Sequence, residues 1–120
     1  MSDKPLLERL QVKNGRSLAV VNGPSDICGL VDAIHHSVEE ADVVLVFFPD
    51  RGLLERCLAE TSSRLRPDAI LWIAYPKLTS ALASDLSRDV VRRLAQDHGL
   101  DTVSQIAVDD TWSAMRLKRI

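Results

Sequence analysis

Val43-Val-Leu-Val-Phe-Phe48, closed by Pro49-Asp50, is the stretch on which the fold turns. Six consecutive apolar residues, rich in β-branched and aromatic side chains, read as a strand buried on both faces. A second run, Ala69-Ile-Leu-Trp-Ile-Ala-Tyr75, closed by Pro76, repeats the pattern. Between the two, Asp50 stands as a helix cap. Leu53, Leu54, Cys57, Leu58 and Leu65 make one apolar stripe, which Pro67 prevents from continuing. Strand, helix and strand in that order predict two parallel strands joined by a crossover helix.

Upstream, Ser17–Val21 reads as a strand that ends in Asn22-Gly23-Pro24-Ser25. Ser25 or Asp26 can cap a helix carrying Ile27, Leu30, Val31 and Ile34. Asp3–Val12, with Pro5 near its start and Gly15 after it, suits a short amphipathic helix. Downstream, Ser84 is the expected cap of a helix holding Leu86, Val90, Val91 and Leu94, with His98-Gly99 as its stop. Val103–Val108 and Trp112–Ile120 read as strands separated only by Asp109-Asp110-Thr111, hence a hairpin. The expected fold is α/β: one Rossmann-like domain over residues 1–120, with two or three layers. Its sheet has about five strands, mostly parallel, with an antiparallel strand from the C-terminal hairpin.

This order predicts crossover helices on one sheet face only. The two central strands are nevertheless apolar at every position, so both faces call for a cover. The second face falls either to the N-terminal segment or to another chain, which motivates an expectation of a homo-oligomer or protein partner there.

Composition narrows the function classes. The 120 residues are 46% hydrophobic and 27% charged, as in an ordinary globular domain. The formal net charge of −2 speaks against a nucleic-acid binder driven by bulk charge. Neither apolar run approaches the ~20 residues that span a bilayer, so no membrane partner is expected. The two cysteines, Cys28 and Cys57, lack Cys-x-x-Cys spacing, and the N-terminus has no signal-type apolar stretch. A reducing cytoplasm is the expected location.

In a parallel sheet the loops that follow the strands collect at the carboxyl edge, where ligands of α/β folds bind. With the fourth strand parallel, that edge gathers Asn22, Asp50, Arg51, Tyr75, Lys77, Asp109, Asp110 and Trp112. Lys77 with Asp109 and Asp110 is the expected cluster, because the last strand inserts beside the third and carries the hairpin toward Lys77. An ammonium among carboxylates suits a small anionic ligand, or acid–base work on one. The bland alternatives stand beside it. Asp50 and Asp109 are good cap and turn residues, and Trp112 packs across strands as readily as it stacks on a ligand.

Other groups carry less. His35 and His36 point about 100° apart on a helix and cannot chelate one metal together. His98 suits a helix C-terminus. Cys57 reads as a small core residue, and Cys28 has no paired base. Arg88, Arg92 and Arg93 read as a solvated helix face. No metal site is expected.

Trp72-Ile-Ala-Tyr-Pro-Lys77 and Asp109-Asp-Thr-Trp-Ser113 resemble a small bacterial family classed as a domain of unknown function. Asn22-Gly-Pro24 and Phe48-Pro-Asp50 resemble its strand-end turns, and the likeness runs from Arg16 to Arg119. It implies no activity. In topology the chain is also similar to the second half of class I methyltransferases, which end in an antiparallel strand inserted by a hairpin. It departs from them after the first strand. A glycine-rich turn is replaced by Asn22-Gly23-Pro24, and the interval to Asp42 holds no extra strand for an acidic ribose-binding residue. Neither Gly-x-Gly nor a P-loop is present. No cofactor is therefore expected. The reading is a non-catalytic binding or interaction module rather than a competent methyltransferase. The alternative is a small enzyme acting on an anionic metabolite through Lys77 and Asp109 or Asp110.

Overall fold

Five strands form one mixed sheet: β1 (Leu18–Val21), β2 (Val43–Phe47), β3 (Ile70–Pro76), β4 (Leu100–Ala107) and β5 (Trp112–Arg119). Their spatial order is β1-β2-β3-β5-β4. The computed structural model describes residues 10, 12, 16–22, 38–66, 68–83 and 85–119. β1, β2 and β3 run parallel, and β5 lies antiparallel between β3 and β4. The expected insertion of the last strand beside the third is what the chain adopts. β4 is consequently parallel to β3 although it touches only β5.

Two described helices join these strands, α1 (Arg51–Arg64) and α2 (Arg88–Asp97). Asp50 caps α1, its Oδ1 accepting the Leu53 amide at 2.8 Å. α1 ends at Arg64 with Leu65 as an extended C-cap, so Leu65 closes the stripe from outside the helix. Pro67, the expected stop, lies outside the described residues.

The expected cap of α2 is displaced by three residues. Ser87, not Ser84, is its N-cap and accepts the Val90 amide at 3.3 Å. The preceding segment serves the other helix: Asp85 Oδ1 accepts the Arg51 amide at 2.8 Å. A carboxylate used at the first turn of α1 draws its stretch of chain away from α2. Ser84 itself and the helix expected over Ile27–Ile34 lie outside the described residues, as does the helix expected over Asp3–Val12 apart from Leu10 and Val12.

Both helices cover the same face. Leu54 and Leu58 of α1 join Val91, Leu94 and Ala95 of α2 over Val44, Val46, Leu71, Ile73, Met115 and Leu117. The opposite face buries Val43, Leu45, Phe47, Trp72, Ala74, Trp112 and Ala114 together with Leu10 and Val12. Leu10 is fully buried there, and the Trp72 indole N–H donates to its carbonyl at 2.9 Å. Of the two expected covers for this face, residues of the chain's own N-terminal segment, Leu10 and Val12, are in place.

β4 begins at Leu100, three residues before the expected start. It is an edge strand, and Asp101 and Thr102 are only half-buried, so its first turn of chain carries no apolar alternation to read. A register shift falls between Thr102 and Ser104, where Val103 bulges outward and is 45% exposed. Among the described residues no helix is long and apolar enough to cross a membrane.

Candidate functional site at the carboxyl edge

Lys77 leaves β3 directly beside the β4–β5 hairpin. Its amide donates to the Thr111 carbonyl at 2.8 Å, and Pro76 pairs with Trp112 in the ladder. The hairpin thus reaches the same edge as the ends of β2 and β3, as the sequence predicts.

What the side chains do there is more divided. Asp109 shapes the turn: its Oδ1 accepts the amides of Thr111 and Trp112, both at 2.8 Å. Asp110 is exposed. Lys77 makes no ion pair with either carboxylate among the described residues. Proximity in the fold has not become a salt bridge. Asp50 is committed to the cap of α1. Arg51 Nε donates to Glu55 Oε1 at 2.8 Å, an i,i+4 pair in which the hydrogen bond to the carboxylate favours the charged guanidinium. Asn22 sits exposed at the end of β1 with φ 58°, a left-handed conformation that asparagine tolerates. Trp112 is 8% exposed and meets Phe47 edge-on, ring centroids 5.0 Å apart and planes at 82°. Its indole belongs to the core beneath the edge.

A cleft of about 340 Å³ opens on the helix-covered side of this edge, between the ends of β3 and β5 and the start of α2. Tyr75, Lys77, Ser87, Arg88, Asp89, Gln105 and Ser113 line it, with Leu78 at its rim. The cross-strand register puts these residues together. Tyr75 pairs with Ser113, and Gln105 with Met115, so Tyr75, Ser113 and Gln105 share one face. Gln105 Nε2 donates to the Tyr75 hydroxyl at 3.2 Å. Burial pushes the Tyr75 phenol above the usual tyrosine value, with Arg88 pulling against it and Asp89 acting with it.

Of the expected cluster, Tyr75 and Lys77 line this cleft, whereas Asp109 and Asp110 do not. Arg88, read from sequence as part of a solvated face, lines it from the first turn of α2. Ser87 and Gln105 carry no motif in the sequence, and Ser113 enters it only as the end of Asp109-Asp-Thr-Trp-Ser113. Only the strand register reveals that they converge. Cys57 is a half-buried free thiol packed against the core. Cys28, His35 and His36 lie outside the described residues. No group of three or more metal-binding side chains occurs among the described residues. A second cavity of about 260 Å³ lies at the opposite edge, with Arg66, Asp68, Arg116 and Lys118 in its lining.

The family model for proteins of unknown function DUF3052 matches residues 25–120. The chain belongs to the DUF3052 family. No curated protein matches the sequence. Solved structures similar to this DUF3052 chain include several methyltransferases. The B. subtilis M1A22 tRNA methyltransferase TrmK aligns with a TM-score of 0.59 and 9% identity, over 100% of this chain and 67% of its own. A Sulfolobus solfataricus protein described as a type 11 methyltransferase gives 0.63 and 12% identity, over 95% and 89%. An O-methyltransferase from neocarzinostatin biosynthesis, solved with S-adenosyl-L-homocysteine, gives 0.59 and 10%, over 96% of this chain but 46% of its own. The DUF3052 chain therefore has a Rossmann-like, methyltransferase-like fold, and identities this low speak to the fold alone.

Proposed function

We propose that the protein is a non-catalytic binding module that takes a small anionic ligand at the carboxyl edge of its sheet. One observation carries this reading: the cleft beside β3 and β5 holds the cationic groups Lys77 and Arg88 next to the hydroxyls of Tyr75 and Ser113. Donors and two cations converge there beside a single carboxylate, Asp89, which makes no ion pair with Lys77 or Arg88 among the described residues. The engagement of the Asp109 carboxylate by two turn amides favours binding over proton transfer by that group.

The cofactor implied by methyltransferase-like relatives does not suit the residues present. β1 is the edge of the sheet among the described residues, so no further described strand stands outside it to hold a ribose. The chain after it reads Asn22-Gly23-Pro24, a single glycine where a close-approach turn needs more. No methyl-transfer step is derived for this chain.

Thermal unfolding of the full chain with nucleotides, adenosyl compounds and phosphorylated metabolites tests the proposal. A ligand present at 100 times its Kd adds about 2.7 kcal/mol. Stabilisation by a phosphorylated compound but not by adenosyl compounds is the expected result. Stabilisation by S-adenosylmethionine at micromolar concentration, or by nothing, overturns it.

A further inference from the structure

We propose that the cleft at the start of α2 is a phosphomonoester site in which the Ser113 hydroxyl and the first-turn amides of α2 hold the phosphate. This rests on the reading of the carboxyl edge as a ligand site and names its ligand class.

Ser113 is the deciding residue. It is only 7% exposed, yet its hydroxyl has no hydrogen-bond partner among the described residues. Every fully enclosed side-chain nitrogen or oxygen among those residues is partnered. The Ser113 hydroxyl must therefore open into the cleft that it lines, where an unmet donor in a buried residue awaits a ligand or solvent.

The start of α2 supplies an independent set of donors. The first amides of a helix have no intrahelical acceptor. Ser87 Oγ satisfies only Val90, which leaves the amides of Arg88 and Asp89 at the positive end of a 10-residue helix. Arg88 and Lys77 add two cations. The Tyr75 oxygen already accepts from Gln105, so its proton is free to be donated.

Two features select the ligand. The donors exceed what the two oxygens of a carboxylate can occupy and suit the three terminal oxygens of a phosphomonoester. Asp89 also lines the cleft and repels a second anionic group, which disfavours a diphosphate. About 340 Å³ leaves room for an uncharged remainder whose hydroxyl can donate to Asp89, with Leu78, 64% exposed, at the rim.

The test is an amide NMR titration of the full chain with inorganic phosphate at physiological salt, repeated with Ser113→Ala. Saturable shifts at Arg88, Asp89 and Ser113 are expected, with affinity falling about tenfold in the variant. Because the hydroxyl has no partner among the described residues, Ser113→Ala should remain folded. Tyr75→Phe, which removes a second donor, is the companion variant and should also weaken binding. Ser63→Ala, on α1 and outside the cleft lining, should not. Saturable shifts confined to Asn22 or Asp109–Trp112 and insensitive to Ser113→Ala overturn this site while leaving a ligand at the edge. The absence of saturable shifts with phosphate also overturns it, and stabilisation by another anion in the thermal screen would then keep the broader reading alive. Failure of both measurements removes both.

Discussion

The two faces of the sheet are closed by different means. On the helix face, aliphatic side chains of β2, β3 and β5 meet the stripes of α1 and α2. Both stripes are held by side-chain caps, Asp50 and Ser87. On the opposite face the described cover is Leu10 and Val12, and both tryptophans of the chain, Trp72 and Trp112, lie there with Phe47. A helix brings a whole apolar stripe with its backbone already hydrogen-bonded. On the opposite face large rings fill the space, and the Trp72 indole ties down the Leu10 carbonyl. One face depends on local sequence and the other on a bond between residues 62 positions apart.

The largest test of that contrast is Trp72→Ala, expected to cost about 3–5 kcal/mol in urea unfolding. On the helix face Leu54→Ala should cost about 2–5 kcal/mol. A markedly larger loss at Leu54 than at Trp72 would reverse the ranking of the two faces. Trp72→Phe separates volume from hydrogen bonding: it keeps most of the ring but orphans the Leu10 carbonyl, at about 1–3 kcal/mol. No measurable loss would mean that the indole tether contributes nothing to closing that face.

Asp50→Ala removes a cap on the helix face alone and should cost about 1 kcal/mol. Tryptophan fluorescence reports only the opposite face, whereas far-ultraviolet circular dichroism follows the helices. The two probes should still give coincident transitions in this variant if the faces unfold as one unit. Separated midpoints would show that the faces fail independently.

The smallest effect belongs to the amino edge. Asp42 accepts the Ser17 amide at 2.9 Å and the Ser17 hydroxyl at 3.3 Å, and pairs with Arg66 at 2.8 Å. The hydrogen bond from the Ser17 amide, more than the Arg66 charge, holds its carboxyl below the usual value. A lowered folded value means that this contribution is present above the unfolded pKa, about 4. It fades as pH falls through the folded value. Asp42→Asn should slightly lower stability above about pH 4, neutral pH included, leave it unchanged at lower pH, and so flatten the acid limb of the stability profile. An unchanged acid limb would place the acid sensitivity elsewhere.

Much of the fold was legible because its signals are local. The runs ending at Phe48 and Tyr75 carry their own burial pattern, Asp50 caps a helix three residues from the amide it accepts, and the Asp109–Thr111 interval is too short for anything but a hairpin. The start of β4 was not legible, because an edge strand exposes one side and loses its alternation. Ser84 misled because Asp85 beside it serves another helix 34 positions away, which no local pattern encodes.

The site divides along the same line. Residue types and topology alone placed Tyr75 and Lys77 at the edge and carried the hairpin to them. They could not say that Asp109 would turn its carboxylate onto its own loop, or that Trp112 would face the core against Phe47. Nor could they bring Ser113, Gln105 and Arg88 to one cleft, since that depends on the β3–β5 and β4–β5 registers and on where α2 begins. The sequence by itself determined the order and kind of the elements, because apolar period, caps and breakers act within a few residues. The tertiary structure alone decided which polar groups are spent on the fold and which line the cleft. A side chain's partners come from distant strands, and a slip of one residue in register would turn Ser113 to the other face.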